Sequence, residues 1–163
     1  MKKIDKLLWD SEFRNAIDTI NTEEINRVYC RHGFDHLLAV ARICYILNVE
    51  EKLCHDKEMI YAMALLHDIG RVAEYDSNGE VDHRDVGPEY ARPILERSGF
   101  TEEEIESICD AILKHGTPAS DDDKGSLADI LYRADKLSRN CFDCTAYGVC
   151  KWKPEVKNNT IEF

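Results

Sequence analysis

A chain of 163 residues, 44% apolar and 9% aromatic, has the length of one ordinary domain and enough apolar side chains to bury one sizeable core, which excludes a disordered or fibrous chain. Twenty-one Lys and Arg against 32 Asp and Glu leave a net charge of −11, which at long range repels nucleic-acid phosphates and anionic membrane surfaces, so neither is an expected partner. A small phosphorylated substrate stays open, because bound divalent cations invert the potential of a site whatever the net charge.

The amino terminus, MKKIDKLLWDSEF, acquires Asp5, Asp10 and Glu12 before any apolar run long enough for a secretory signal. The stretch from Phe34 to Val49 is interrupted by Asp35, His36, Arg42 and Asn48, so no segment of about 20 apolar residues exists to span a bilayer. The expectation is a soluble, cytoplasmic protein. Its seven cysteines then stand as reduced thiols, an odd number that cannot all pair, and metal binding or burial is their first reading.

Apolar positions recur with helical period throughout, predicting an all-α single domain over residues 1–163. An amphipathic stretch covers residues 3–19, and Thr22 reads as the N-cap of a short helix from Glu23 to Tyr29, ended by Gly33. Asp35 caps the next helix, whose stripe runs from Leu37 to Leu47, and Asp56 caps another that runs to Gly70, read as a left-handed C-terminal glycine. Residues 71–87 are polar, contain the turn signal Ser77-Asn78-Gly79, and read as a loop before a helix from about Pro88 to Ser98, in which Pro93 predicts a kink or early break. Gly99 closes that helix. Thr101 to Glu104 is a capping-box sequence opening a helix that ends at Gly116; Pro118 to Gly125 is a solvated loop; and Ser126 caps a last helix through Asp135 to about Arg139.

The chemistry-bearing residues fall at helix ends or on apolar faces. In LLHDIGR, His67 and Asp68 are two strong metal-ligand types in adjacent positions about 100° apart on a helix, able to share a cation lying between their directions. An i,i+3 surface pair of Asp68 with Arg71 explains the aspartate but leaves His67 unexplained. Asp135, in LADILYRADKLSR, sits among apolar neighbours and needs compensation, by a metal or by Lys136 or Arg139. His36 opens an amphipathic helix with His32 four residues before it; Gly33 makes a continuous helix across both doubtful, so one ligand and one neighbouring histidine is the reading. His115 precedes a helix terminator, where it can also complement the macrodipole, and His83 lies in the polar segment, where an ordinary surface histidine is equally at home.

The order His36, His67-Asp68, His83, His115, Asp135 on a helical chain resembles the HD domain superfamily of metal-dependent phosphohydrolases, over roughly residues 28–139, with LLHDIGR and RADKLSR the most specific segments. The resemblance implies a helical bundle in which His36, His67, Asp68 and Asp135 hold one divalent metal. It further implies a second metal held by His83 and His115, with Asp68 bridging. Histidine and carboxylate ligands suit manganese, iron, cobalt, nickel or zinc. In the cyclic-nucleotide phosphodiesterases, which share this helical metal site, a histidine four residues before the first ligand protonates the leaving oxygen, and His32 matches that spacing, although Gly33 follows it in place of an asparagine. Arg71 and Lys136, next to the two metal-binding segments, are the candidates to hold phosphate oxygens. The implied activity is hydrolysis of a phosphate ester of a nucleotide or related small metabolite. The alternatives are a non-haem di-iron oxygenase of HD type and a non-catalytic sensor or adaptor stabilised by metal.

The tail, residues 140–163, carries Cys141, Cys144 and Cys150 in a C-x2-C-x5-C pattern, the tight first pair of which suits a structural zinc or an iron–sulfur cluster. Three thiolates do not complete a tetrahedron. Cys30, just before the His32 to His36 segment, is the expected fourth ligand, with Cys109 in reserve; reduced cysteines without an ion are the alternative.

Overall fold

The computed structural model describes residues 1–163 as eight α-helices without a strand: α1 Lys2–Leu8, α2 Ser11–Glu23, α3 Phe34–Glu50, α4 Lys57–Leu66, α5 Arg71–Asp76, α6 His83–Ser98, α7 Glu102–Lys114 and α8 Leu127–Leu137. None is long and apolar enough to cross a membrane. Helix α4 is the axis of the bundle: KEMIYAMALL is apolar on nearly every face, and such a helix must be surrounded. It packs against α1, α3, α6, α7 and α8, and every residue from Ala62 to Gly70 is buried. Truncating Leu65 or Leu66 there removes apolar volume from a close-packed core, at about 2–5 kcal/mol.

Three of the expected caps form: the Asp56 carboxylate accepts from Glu58 and Met59, Ser126 accepts from Asp129, and Thr101 and Glu104 complete the reciprocal capping box. Elsewhere the chain departs from the expectation for identifiable reasons. The 3–19 stretch is two helices, because the Asp10 carboxylate accepts from the Glu12 and Phe13 amides and starts α2 afresh. Thr22 caps nothing; it lies inside α2, its hydroxyl donating to the Asp18 carbonyl, and no helix forms from Glu23 to Tyr29. Gly33, not Asp35, is the N-cap of α3, with Asp35 in the first turn.

The largest departure is around Gly70. Its φ of −64° is right-handed, so it is not the left-handed terminator expected. Glycine is required there by proximity, since a Cβ would lie 2.1 Å from the His83 carbonyl oxygen. Helix α4 ends at Leu66, and i→i+3 bonds carry the chain through His67 to Gly70 directly into α5, so most of the polar segment expected as a loop is helical. Helix α6 starts at His83, capped by Asp82, five residues before the expected Pro88, and continues past Pro88 and Pro93 to Gly99, whose φ of 91° makes the left-handed closure.

The tail has only two short 3-10 turns, Cys141–Asp143 and Pro154–Val156. It returns to the bundle through Asn158, whose side-chain amide donates to the Lys136, Leu137 and Arg139 carbonyls at 2.8, 3.1 and 2.8 Å, satisfying the open C-terminal end of α8.

Candidate metal centre

The turn after α4 presents His67 and Asp68 at the middle of the bundle, and four other elements bring their residues to it: His36 from the first turn of α3, His83 from the start of α6, His115 from the end of α7 and Asp135 from α8. His67, Asp68 and His115 are buried, and His36, His83 and Asp135 partly so. Lying beyond the helix, His67 and Asp68 do approach each other, Nε2 to Oδ2 at 3.1 Å. Asp68 also lies 3.7 Å from His36 Nε2 and 3.3 Å from His83 Nε2, and Asp135 lies 3.5 Å from His36 Nε2. The rings form a chain, His36–His67–His115–His83, with centroids 5.4, 5.1 and 5.5 Å apart.

Hydrogen bonds on the far side of three rings fix which nitrogen faces inward. His67 Nδ1 donates to the Ala64 carbonyl at 2.8 Å, and His115 Nδ1 to the Ile112 carbonyl at 2.5 Å. Ser138 gives its own proton to the Asp135 carbonyl, which leaves its oxygen to accept from His36 Nδ1 at 3.3 Å. Each ring therefore turns its Nε2 toward the centre, and the buried Nε2 atoms of His36 and His67 have no hydrogen-bond partner. A buried polar atom without a partner costs about 1–3 kcal/mol, and here the rings are held in the tautomer and direction that metal ligation uses.

Two sets of donor atoms lie within 4.8 Å of one another, His36 with His67 and Asp135, and His67 with Asp68 and His115. His67 is thus common to both sets, whereas the resemblance makes Asp68 the shared residue. His83 stands outside both sets: its Nε2 faces Asp68, while its Nδ1, buried and without a hydrogen bond, lies 3.2 Å from Glu74.

Electrostatics match neutral His36, His83 and His115 beside charged carboxylates, while at His67 burial is outweighed by the Asp68 charge, which raises it. Burial, reinforced by the neighbouring His67, lowers His36 and His115 to about 4, and burial with the nearby Arg71 guanidinium does the same to His83. Burial pushes against the Asp68 charge, but His67 and Arg71 outweigh it and hold the carboxyl well below the usual range. Arg71 Nε donates to Asp68 at 2.9 Å and its Nη1 to Glu74 at 3.0 Å. That pair is buried, not the surface pair expected, and it leaves Nη2 without a protein partner. Lys136 pairs with Asp135, while Arg139 turns away to the Lys136 carbonyl.

His32 lies outside any helix, its ring 5.5 Å from that of His36. Its Nδ1 and backbone amide both donate to Glu24, at 2.5 and 2.7 Å, and the Tyr75 hydroxyl donates to the same carboxylate at 2.5 Å. Glu24 is 2% exposed; burial would raise its pKa, but these bonds bring it down to about 2. No motif marks Glu24, whose partners stand 8 and 51 residues away, and Glu74 was equally unforeseen.

The centre opens into a cavity of about 800 Å³, whose other wall is the loop between α2 and α3 together with the tail. Cys30, Cys141, Cys144 and Cys150 line that wall. Cys109 does not: it is buried in α7, its thiol 3.8 Å from the Pro88 carbonyl, and is no reserve ligand.

The HD domain family model matches residues 33–140. The chain belongs to the HD domain family. It is 38% identical over its full length to an uncharacterized protein of Clostridium beijerinckii, all of which is covered. It also superimposes, with a TM-score of 0.63 and 25% identity, on a crystal structure of a predicted HD superfamily hydrolase from an uncultured Thermotogales bacterium, covering 90% of this chain and 79% of that one. The helical bundle expected from the resemblance is the bundle observed.

Proposed function

We propose that this HD-family chain is a metal-dependent hydrolase of phosphate esters, acting on a nucleotide or similar small phosphorylated metabolite. The observation that carries the reading is the set of histidine rings held from behind, with Nε2 atoms meeting the buried Asp68 and the partly buried Asp135 carboxylates at the floor of a cavity. His36, His67, Asp68 and Asp135 would hold one divalent ion, and His115 and His83 with Asp68 a second. Bound there, the metal supplies Lewis acidity to phosphoryl oxygens and a water acidic enough to ionise near neutral pH.

The chain's own residues supply the rest. Arg71, clamped by Asp68 and Glu74, aims its free Nη2 nitrogen at a phosphate oxygen. Lys136 stands beside Asp135 as a second, looser cation at the cavity wall. Water, having released one proton to solvent, attacks phosphorus in line, the P–O ester bond breaks, and His32 delivers its Nε2 proton to the departing oxygen and regains one from solvent. Glu24 keeps that ring oriented by taking its Nδ1–H.

The cavity wall supports a nucleotide-like substrate. Eight Arg and Lys residues line the cavity against five acidic ones, so the local balance is basic in a chain of net charge −11. Tyr29, Tyr147 and Trp152, each at least partly exposed, offer faces on which a base can stack. The volume lies within the range of about 300–1,000 Å³ usual for small-molecule sites.

The test is phosphate release from a panel of nucleotides and sugar phosphates by the metal-reconstituted chain, with and without oxygen. Turnover independent of oxygen and lost in Asp68→Asn supports the proposal. Release from no member of the panel contradicts it, and turnover that consumes oxygen selects the oxygenase.

A further inference from the structure

The bundle accounts for three of the seven cysteines. Cys44 is buried in α3 with its thiol toward the Ile130 carbonyl, Cys109 is buried in α7, and Cys54 stands exposed after α3. The other four come from segments more than 100 residues apart and line one stretch of cavity wall. Burial pushes the Cys30 thiol up, with the Arg139 guanidinium opposing the rise and the Cys141 and Cys144 thiols adding to it; no three of the four sulfurs lie within 4.8 Å of one another, so holding an ion there requires the thiols to close on it.

Beyond the hydrogen bonds of Asn158 and its neighbours, the tail containing three of them has little apolar burial to hold its shape. Ala146 is its one buried residue, while Phe142, Val149, Trp152, Val156, Ile161 and Phe163 are exposed. Ordering a residue costs about 1–2 kcal/mol of backbone entropy, and segments lacking a core are usually secured by disulfides or metal. Two successive turns of the tail nevertheless start at cysteines: the Cys144 amide donates to the Cys141 carbonyl at 3.2 Å, and the Tyr147 amide to the Cys144 carbonyl at 3.0 Å. A single 3-10 turn between Cys141 and Cys144 turns the C-x2-C pair into a two-pronged hook. Arg27, Arg31, Arg139 and Lys151 line the same wall, where their positive charge offsets the negative charge that a thiolate-bound centre carries.

We propose that Cys30, Cys141, Cys144 and Cys150 form a four-thiolate metal centre, distinct from the histidine and aspartate centre, that fastens the tail to the loop between α2 and α3. Its occupant is a thiophilic centre, zinc or an iron–sulfur cluster. Because Cys30 is two residues from His32, the centre also holds in place the loop that carries the proposed acid. The site does not depend on the proposed hydrolysis.

Zinc, iron and acid-labile sulfide should be measured per chain on full-length protein purified without oxygen or chelator, together with alkylation of the native chain read by mass spectrometry. The expected wild type carries about one zinc, or iron and sulfide in about equal amounts, at this site beyond any metal released by Asp68→Asn. Cys144→Ser and Cys150→Ser lose that portion, and Cys54→Ser keeps it. Alkylation should reach Cys54 at once and spare the other four until a chelator is added. Since that measurement uses the native chain, it stands even where a serine variant fails to fold. The proposal is overturned if the four cysteines alkylate as fast as Cys54, or if their protection proves to come from disulfides.

Discussion

The two walls of the cavity are built on opposite principles. The floor is made at helix ends around α4, where every residue from Ala62 to Gly70 is buried, His36, His67 and His115 are held by a hydroxyl or a backbone carbonyl, and His83 lies beside the Glu74 carboxylate. The facing wall is made of the 24–33 loop and the tail, polar, largely exposed and almost without regular structure. Groups proposed to hold metal sit on the rigid wall, where position is fixed to a fraction of an ångström, and groups proposed to meet the substrate sit on the adaptable one. His32 is the exception, a proposed catalytic group on the loop wall. Its anchor is accordingly the one strongly buried acid of that loop, Glu24.

The sharpest way to break this contrast is through that exception. His32→Asn should lower kcat about 10²- to 10⁴-fold with KM nearly unchanged, and Glu24→Gln about 10- to 100-fold in the same sense, as steady-state kinetics would show. Equal losses in KM would make the loop a binding element only. On the rigid wall, Gly70→Ala should destabilise the fold by about 3 kcal/mol or more, because the new methyl meets the His83 carbonyl oxygen between two packed segments. A urea midpoint within error of the wild type would show that α5 and α6 yield easily.

The rigid wall also carries a pH response of its own. His36, His83 and His115, lowered from 6.5 to about 4 by burial, are neutral when folded and protonated when unfolded between those values. The unfolded chain then binds more protons, so the metal-free protein loses stability as pH falls from about 6.5 to 4. His67, raised because the Asp68 charge outweighs burial, works in the opposite sense but above that window, its contribution being lost as pH rises from 6.5 through its folded value. Urea midpoints across that range should fall with pH by an amount on the order of a few kcal/mol. The smallest effect belongs to the loop wall: Lys151→Ala should raise KM for a phosphorylated substrate about two- to five-fold, more at low salt, and leave kcat alone.

The legibility of the two walls in the sequence differs for the same reason. On the floor, local signals carry the structure: Asp56, Thr101 and Ser126 cap where expected, and His67-Asp68 and Asp135 stand out as polar groups in apolar helices. What escaped there depends on distant neighbours. Gly70 is small because α6 passes close by, and polar α5 forms because it continues the turn from α4 and packs against α6 and α2. On the loop wall nothing local distinguishes Glu24 from other acids, or Asn158 from the asparagine beside it. Thr22 misled because a capping residue type before acidic residues is a start signal only where the preceding helix has ended. The cysteines are the exception there, since spacing alone singled out the three of the tail.

Calorimetric titration of manganese into the metal-free chain tests the metal centre most directly, because that ion prefers the nitrogen and oxygen ligands of the rigid wall to thiolates. The wild type should bind it at one or two sites, Asp68→Asn about 100-fold or more weakly, and Cys144→Ser as tightly as the wild type. Wild-type protein that takes up no manganese, or an Asp68→Asn variant that binds it undiminished, would contradict the assignment of His67, Asp68 and their neighbours as a metal centre.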